Sequence, residues 1–158
     1  MKISFVIPAY NEEAVIGKCL ASVFKEIDRV RAAGTEVYTE VVVVDNTSTD
    51  RTREEALKFS QVTIVQEQLK GLVYARRAGW VATTGDIVAN IDADTMLPAG
   101  WLSTVMKEFT EDKNLVALSG PYLYYDIPAW KRALVKIFYF LGWLIHLVNH
   151  HVLHAGAM

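Results

Sequence analysis

One cysteine, Cys19, is present among the 158 residues, so the chain has neither a disulfide framework nor the Cys/His spacing of a structural zinc site. An excess of charge of one sign is also lacking, because the formal net charge is −2. That balance excludes the basic field of a general nucleic-acid-binding protein, and we expect no nucleic-acid partner. A lone thiol in an apolar helical pattern is typical of a small buried residue and favours a reducing, cytoplasmic location.

Long apolar runs are missing as well. No stretch reaches the roughly 18 to 20 apolar residues that a membrane span needs, and the nearest, Ile137–Val148, is interrupted by Gly142 and His146. The apolar run at Ile3–Ile7 ends at Pro8 before charged residues, which is not the pattern of a signal peptide. Hydrophobic residues still make up 52% of the chain and its mean hydropathy is +0.19, so we expect one domain with a substantial core.

Two kinds of apolar segment alternate along the chain. Short apolar runs predict strands at 3–7, 41–44, 62–65, 86–91 and 115–119, and helical spacing predicts helices at 12–30, 52–59, 71–82 and 98–109. Asn11 is predicted to cap the first helix, with Glu12 and Glu13 at its positive end. The alternation indicates an α/β fold with a mostly parallel sheet and helices on both faces.

Polar segments follow three of the predicted strands. They are Pro8–Asn11, Asp45–Asp50 and Asp92–Asp94. Right-handed crossovers place the carboxyl ends of parallel strands at one edge of the sheet, where ligands of open α/β folds bind. We therefore expect these segments to lie together.

Asp92-Ala93-Asp94 is the segment with the most specific chemistry. Residues two apart in an extended chain point the same way, so a tight turn after the strand can aim both carboxylates at one ligand. Mg²⁺ and Mn²⁺ prefer oxygen ligands, often one or two carboxylates together with substrate phosphates. A solvated turn is the simpler interpretation of this motif taken alone.

Four blocks of the sequence, in order, resemble family 2 glycosyltransferases of the GT-A fold. The blocks are Val6–Glu13, Val43–Thr52, Gly71–Gly79 and Gly85–Asp94. They span about two-thirds of the chain. The resemblance implies a Rossmann-like GT-A core at residues 1–120 that binds a nucleotide-sugar donor.

The resemblance implies that the first two blocks hold the nucleoside. Pro8, Ala9 and Tyr10 would line the nucleobase pocket, where the ring of Tyr10 offers a flat face to a uracil-like base. Glu12 would contact the ribose or the base, and Asp45 would accept a hydrogen bond from the base imide. Simpler interpretations stay open: Tyr10 as a half-buried aromatic residue, Glu12 as an acid at a helix start, and Asp45 as a residue that stabilises its own turn.

The later blocks are implied to hold the phosphates and the metal. Gly71 would let the backbone pass close to the ligand, and Arg76 would face the base or the diphosphate, since a guanidinium suits phosphate oxygens. The arginine after it cannot share that helix face and is interpreted as a surface charge. Asp92, with Ala93 beside it, would contact the ribose region, and Asp94 would ligate a divalent metal, Mg²⁺ or Mn²⁺.

A general base for the acceptor hydroxyl is not evident. The acidic residues after the D-x-D motif are Glu108, Glu111, Asp112 and Asp126. The first three lie at the end of a predicted helix, which favours a solvated face, and Asp126 does not match the base motif of the family. The family commonly continues past a segment like Ala155–Met158 into an acceptor-side block, so we expect the chain to be truncated before that region.

Residues 121–158 differ in composition from the rest. No acidic residue occurs between Ala129 and Met158, and three basic residues precede an aromatic and aliphatic run. A long apolar helix after Pro128 is predicted. Basic and aromatic residues together suit a membrane surface, while packing on another part of the protein or a homo-oligomer contact is the other interpretation.

Three histidines of this segment fall at helical i, i+4, i+8 spacing. They are His146, His150 and His154. One of them could serve as a metal ligand near the diphosphate. Polar or half-buried helix positions are the simpler interpretation.

The function implied is transfer of a sugar from a nucleoside-diphosphate donor, UDP-linked in our expectation, to an acceptor hydroxyl with inversion and metal assistance. The acceptor would be lipid- or saccharide-linked, which suits a cell-envelope polysaccharide enzyme at the inner face of the membrane. The alternative is a nucleotide-sugar-binding fragment without turnover. A dinucleotide-binding domain is disfavoured because no G-x-G-x-x-G follows the first strand.

Overall fold

The computed structural model describes residues 1–120 and 128–155, with the side chains of the second range described as far as residue 145. The chain divides into two compact units, Met1–Asn114 and Leu115–Met158. All the strands of the described residues belong to the first unit.

Strands and helices alternate through the first unit as the apolar pattern predicts. Their bounds are β1 Lys2–Ala9, α1 Ile16–Ala32, β2 Tyr38–Asp45, α2 Thr52–Leu57, β3 Val62–Gln66, α3 Leu72–Val81, β4 Ile87–Asn90 and α4 Trp101–Glu111. The strands form one parallel sheet in the order β3-β2-β1-β4. The chain therefore reverses direction across the sheet after β3, and all four strands end at the same edge.

Helices cover both faces of the sheet, as predicted. On one face, alternate residues of β1 and β2 pack with buried side chains of α1, α2 and α4. On the other face, Val6, Val42 and Val44 pack with Ala75 of α3. Burial on both faces explains the continuous valine run of β2, because parallel strands covered on both sides have no solvent-facing positions.

Gly79 allows α3 to approach the sheet closely. A Cβ atom at this position would lie 2.3 Å from Cγ1 of Val6 and 3.1 Å from Cγ2 of Val44. The neighbours are branched side chains within a packed core, where added volume forces strain. The glycine therefore sets the depth at which the helix bearing Arg76 lies on the sheet.

The amino-terminal edge of the sheet has a closed polar network around Glu40. Its carboxylate accepts hydrogen bonds from the hydroxyl of buried Ser4 at 2.6 Å, the backbone N–H of Thr84 at 2.6 Å and the ammonium of Lys2 at 3.1 Å. Desolvation opposes ionisation, but these bonds and the Lys2 charge outweigh it and lower the pKa of Glu40 to about 2. The Ser4 hydroxyl also accepts the N–H of Gly85, which attaches the start of β4 to β1.

Two predictions about secondary structure were wrong. Asn11 does not cap α1, which begins at Ile16 without an acidic residue in its first turn. Asn11 instead has a positive φ of 56° and binds the neighbouring loop through its side chain. Residues 115–119 form no strand, and Val116 is 95% exposed, because no strand edge pairs with this segment among the described residues.

The second unit contains α5, Ala129–Ala155, so a helix follows Pro128 as predicted, but the long apolar character that we expected is not confirmed. Trp130, Phe138 and Trp143 are among its exposed side chains. Within the described residues no helix is long and apolar enough to cross a bilayer. Asp126, and the side chains of the three spaced histidines, lie outside the described part of the chain.

Candidate active site

The loops after β1 and β2 are bound to each other at the carboxyl edge of the sheet. Asn11 accepts the N–H of Thr49 at 2.8 Å and donates its own N–H to Ser48 at 3.1 Å. Asp50 accepts the N–H of Glu13 at 3.1 Å. The loops after β1 and β2 are therefore joined by hydrogen bonds.

Asn46 organises the loop that precedes α3. Its side-chain amide donates to the carbonyls of Glu67 at 2.9 Å and Leu69 at 2.8 Å, and its carbonyl accepts the N–H of Gly71 at 2.7 Å. Asn46 is only 4% exposed. One buried side chain thus sets the course of residues 67–71, and Gly71 turns into the helix with a φ of 139°.

Asp45 ends β2 beside Ala9, its partner in the sheet register. The carboxylate is 7% exposed and accepts the N–H of Ser48 at 3.0 Å. This contact is the turn interaction that we noted as the simpler interpretation. One oxygen of Asp45 is thus engaged in the turn. A nucleobase would have to bind the other carboxylate oxygen.

Tyr10 lies at the end of β1 with its side chain 40% exposed. The ammonium of Lys70 is 2.6 Å from the Tyr10 hydroxyl and 4.0 Å from the centroid of its ring. Pro8 and Ala9, which precede it, are buried in the strand. Among the three residues expected to line a base pocket, only Tyr10 therefore offers an exposed side-chain surface.

Arg76 and Asp92 form an ion pair at the same edge. Nη2 of Arg76 is 2.8 Å from Oδ1 of Asp92, and the two side chains are 42% and 40% exposed. The Nε of Arg76 is buried without a hydrogen-bond partner. The pairing brings together two residues from separate blocks, and it joins α3 to the D-x-D loop.

Asp94 lies at the edge close to Glu12. Partial burial, followed by the charges of Asp94 and Asp50, raises the pKa of Glu12. The charges of Asp94 and Asp50, from two other loops, thus disfavour ionisation of Glu12, whereas hydrogen bonds and the charge of Lys2 favour ionisation of Glu40 at the opposite edge. Ala93 between the two aspartates is 4% exposed, so its side chain faces the protein.

Helix α1 holds the D-x-D loop from behind. The thiol of Cys19 lies 3.7 Å from the carbonyl oxygen of Asp92, and the hydroxyl of Ser22 accepts the N–H of Leu97 at 2.9 Å. Burial, with the charges of Asp94 and Asp92, raises the pKa of the Cys19 thiol to about 12, which keeps it a protonated donor. The prediction that Cys19 is a small buried residue is confirmed.

A divalent cation would find few protein ligands at this edge. Among the residues that the structure describes, no group of three or more His, Cys, Asp or Glu side chains is arranged to hold a metal ion. The Asp94 carboxylate, whose charge acts on Glu12, still offers oxygen donors. Those donors fit an ion that takes one or two carboxylates from the protein and its other ligands from phosphates and water.

Two residues at this edge were not identified from the sequence. Asn46 was noted only as part of a polar turn, although a buried Asn after a strand can hold a neighbouring loop. Lys70 was not singled out, because an isolated lysine before a glycine has no motif of its own. Its position beside Tyr10 depends on a contact sixty residues away in the chain.

Known proteins resemble this chain in sequence and in fold. The family model described as "Glycosyl transferase family 2" matches residues 4–158. The chain belongs to glycosyl transferase family 2. Its parallel sheet with helices on both faces is GT-A-like.

Three known proteins are similar to this chain. The glucosyltransferase WfgD of Escherichia coli, which is named for UDP-Glc and a GlcNAc-diphosphoundecaprenol acceptor, is 32% identical over 76% of this chain and 45% of its own length. TarS of S. aureus has a TM-score of 0.62 at 24% identity, over 78% of this chain and 40% of its own, and supports the fold alone. Glucosyl-3-phosphoglycerate synthase of Mycobacterium tuberculosis, solved with Mn²⁺, UDP and phosphoglyceric acid, has a TM-score of 0.51 at 30% identity, over 69% and 38%.

The chain spans only part of its relatives. It covers 17%, 33% and 40% of the length of the first three curated glycosyltransferases that it matches. The activity of a whole enzyme is therefore a matter for proposal.

Proposed function

We propose that this family 2 member binds a UDP-linked sugar at the carboxyl edge of its sheet and transfers the sugar, with inversion, to an acceptor hydroxyl. The observation that supports this most is the convergence of Tyr10, Arg76 and Asp92, from three sequence blocks, on one edge. WfgD and the M. tuberculosis synthase, both similar to this chain, are named or solved with UDP compounds.

The nucleoside is proposed to bind between the first two loops. The exposed ring of Tyr10 gives the base a surface to stack on, and Asp45 ends the neighbouring strand β2 at the same edge. Pro8, Ala9 and Ala93 are buried, so they would act through the shape of the pocket floor. Glu12 would contact the ribose, and Gly71 would let the loop backbone lie against the ligand.

The diphosphate is proposed to lie between Arg76 and Asp94. Asp94 would hold a divalent cation, Mg²⁺ or Mn²⁺, which neutralises the charge that develops on the leaving diphosphate. Arg76 is bonded to Asp92, and a phosphate oxygen could take over one arm of its guanidinium, since five N–H donors are available. Asp92 would then be released towards the ribose hydroxyls.

Transfer itself would be a single displacement. The acceptor oxygen attacks the anomeric carbon, the bond from that carbon to the diphosphate oxygen breaks, and the hydroxyl proton passes to a general base. No residue of the described chain is assigned as that base. The residues described here therefore bind and orient the donor.

The acceptor is proposed to be lipid- or saccharide-linked, and the protein to work at the inner face of the membrane. WfgD is named for a lipid-diphosphate acceptor. In α5, Trp130 and Trp143 are exposed, Lys131, Arg132 and Lys136 lie between them, and no acidic residue follows Asp126, a composition that suits an anionic lipid surface. A homo-oligomer contact through Ala129–Met158 is the other proposal for this helix.

A thermal-shift screen of nucleotide sugars, with and without Mn²⁺, tests the donor site. We expect UDP-sugars to raise the Tm only when Mn²⁺ is present, and Asp94→Ala to abolish that increase, because ligand binding stabilises the folded state by mass action. Asp28→Ala, on the exposed side of α1, is the matched control and should behave as the wild type. Equal stabilisation of Asp94→Ala would reject the metal assignment.

Donor binding without turnover is the alternative that the sequence analysis left open. Sugar transfer and donor hydrolysis would be measured on this chain and on a version extended to the length of its relatives. Transfer by the extended version alone would assign turnover to the remainder of the enzyme.

A further inference from the structure

We propose that Ser22 is a positioning residue, whose hydroxyl holds the loop of Asp94 in the geometry that a divalent cation requires. The inference rests on the proposed function, because it takes Asp94 as the ligand of the cation. Ser22 lies on α1, outside the four sequence blocks that resemble the family. It acts through the backbone of the loop, and the donor itself is bound by other residues.

Polar groups of α1 contact the D-x-D loop on both sides of Asp94. The thiol of Cys19 lies 3.7 Å from the carbonyl oxygen of Asp92, two residues before Asp94. The hydroxyl of Ser22 accepts the N–H of Leu97 at 2.9 Å, three residues after Asp94. Residues three apart lie on the same face of a helix. One face of α1 therefore holds both ends of the short segment that contains Asp94.

Burial and a turn hold the same segment. Ala93 and Leu97 are 4% and 8% exposed and belong to the core that includes α1, whereas Asp94 is exposed. The N–H of Thr95 donates to the carbonyl of Asp92 at 2.9 Å, which closes a turn at Asp94. The backbone is thus held on both sides of the carboxylate that is proposed to bind the cation.

Ser22 is the contact of this series that can be removed with the least effect on folding. Its hydroxyl donates to the carbonyl of Cys19 at 2.7 Å and accepts from Leu97, so both of its hydrogen-bonding functions are used. Glu26, further along α1, is 2% exposed and accepts the N–H of Gly100, so its loss would leave a buried donor unpaired. Ser22 is only partly buried, and alanine has the higher helix propensity, so Ser22→Ala should fold.

A cation is more sensitive than a nucleoside to the position of this loop. Mg²⁺ demands a near-octahedral set of oxygen ligands at about 2.1 Å, so a ligand that moves must first be ordered at a cost in affinity. The nucleoside is proposed to bind at the loops after β1 and β2, which the Ser22 hydroxyl does not contact. Loss of the hydroxyl should therefore weaken binding of the cation and spare the nucleoside.

Metal and nucleoside affinities of Ser22 variants separate these effects. Calorimetry would measure Mn²⁺ binding in the presence of UDP, and an NMR titration would measure uridine alone. We expect Ser22→Ala to weaken Mn²⁺ binding about fivefold, the scale of one neutral hydrogen bond, and to leave uridine binding unchanged. Ser22→Thr keeps a hydroxyl and should recover most of the affinity. Ser103→Ala is the matched control, since this exposed hydroxyl also donates to a carbonyl three residues earlier.

Amide hydrogen exchange reports whether the loop contact itself is lost. The N–H of Leu97 should exchange faster in Ser22→Ala than in the wild type. The N–H of Ile91, bonded to the carbonyl of Val6 at 2.9 Å in the sheet, should be unchanged.

Four results would overturn the inference while the proposed function stands. They are unchanged exchange at Leu97, faster exchange there with unchanged Mn²⁺ affinity, an equal loss for Mn²⁺ and uridine, and an equal loss in Ser22→Ala and Ser22→Thr. Failure of the wild type to bind UDP with Mn²⁺ would instead reject the proposed function, and the inference with it.

Discussion

A carboxylate at each edge of the sheet has a shifted pKa, and the two shifts have opposite directions. At the amino-terminal edge, Glu40 is surrounded by donors and its pKa falls to about 2. At the carboxyl edge, Glu12 is partly desolvated beside Asp94 and Asp50, and its pKa rises. Hydrogen bonds and Lys2 therefore stabilise the carboxylate at one edge, while burial and neighbouring negative charges destabilise the carboxylate at the other. This difference in charge environment supports the carboxyl edge as the proposed donor site.

Loss of Asn46 gives the largest expected effect on stability. Its side chain makes three hydrogen bonds at the carboxyl edge, and these bonds are present without a ligand. Asn46→Ala removes three hydrogen bonds to residues 67–71 and should lower the free energy of unfolding by about 3 kcal/mol. Urea denaturation measures this loss, with Asn114→Ala, an exposed position, as the control. A loss below about 1 kcal/mol would show that the loop holds its course by itself.

Breaking the Glu40 network should be almost as costly. Glu40→Ala leaves the buried Ser4 hydroxyl and the Thr84 N–H without their acceptor, and we expect a loss of about 2 kcal/mol at pH 7. Donor binding should be unaffected, since Glu40 lies at the opposite edge. A variant that kept its stability but lost UDP binding would contradict the division between the two edges.

The pH dependence gives a finer test of the same network. Because the folded pKa of Glu40 lies below its ordinary value of 4.5, its contribution is complete above pH 4.5 and disappears as the pH falls towards 2. The stability difference between wild type and Glu40→Ala should therefore shrink across that window. Urea midpoints at pH 7, 4.5 and 3 measure it, and a constant difference would mean that the charge of Glu40 is not involved.

Glu12→Gln should have the smallest effect and the opposite sign. Its folded pKa is raised, so the ionised carboxylate opposes folding at neutral pH and removing its charge should stabilise the free protein, by at most about 0.5 kcal/mol. UDP binding should weaken if Glu12 contacts the ribose. The same urea denaturation assay measures the change in stability, with Asp28→Gln as the control. Destabilisation by Glu12→Gln would show that the Glu12 carboxylate makes a favourable contact.

The fold was predictable because its pattern is local. Burial on covered faces determines the valines of β2 and the spacing of Ile16, Leu20 and Val23 in α1. The hydrophobic pattern of the sequence reveals this burial. The strand predicted at 115–119 failed because an apolar run becomes a strand only if a sheet edge pairs with it. Asn11 failed as a cap because a contact with Thr49, distant in sequence, determines its conformation.

The candidate site was predictable only in part, for the same reason. The carboxylates at 45, 92 and 94 follow strands, so topology places them at one edge. The pairing of Arg76 with Asp92, the hold of Asn46 on residues 67–71 and the contact of Lys70 with Tyr10 are long-range side-chain contacts. None of them has periodicity or fixed spacing in the sequence. The roles of these residues in donor binding stay predictions.

The central claim is that the carboxyl edge becomes electrostatically complete only when a cation and a diphosphate bind together. Calorimetric titration of UDP into the protein, with and without Mn²⁺, and of Mn²⁺ with and without UDP, measures this directly. The account predicts that each ligand tightens the other by the same factor, as linkage requires, and that Asp94→Asn reduces this factor to about one. Independent binding of the two ligands to the wild type, or unchanged coupling in Asp94→Asn, would contradict it.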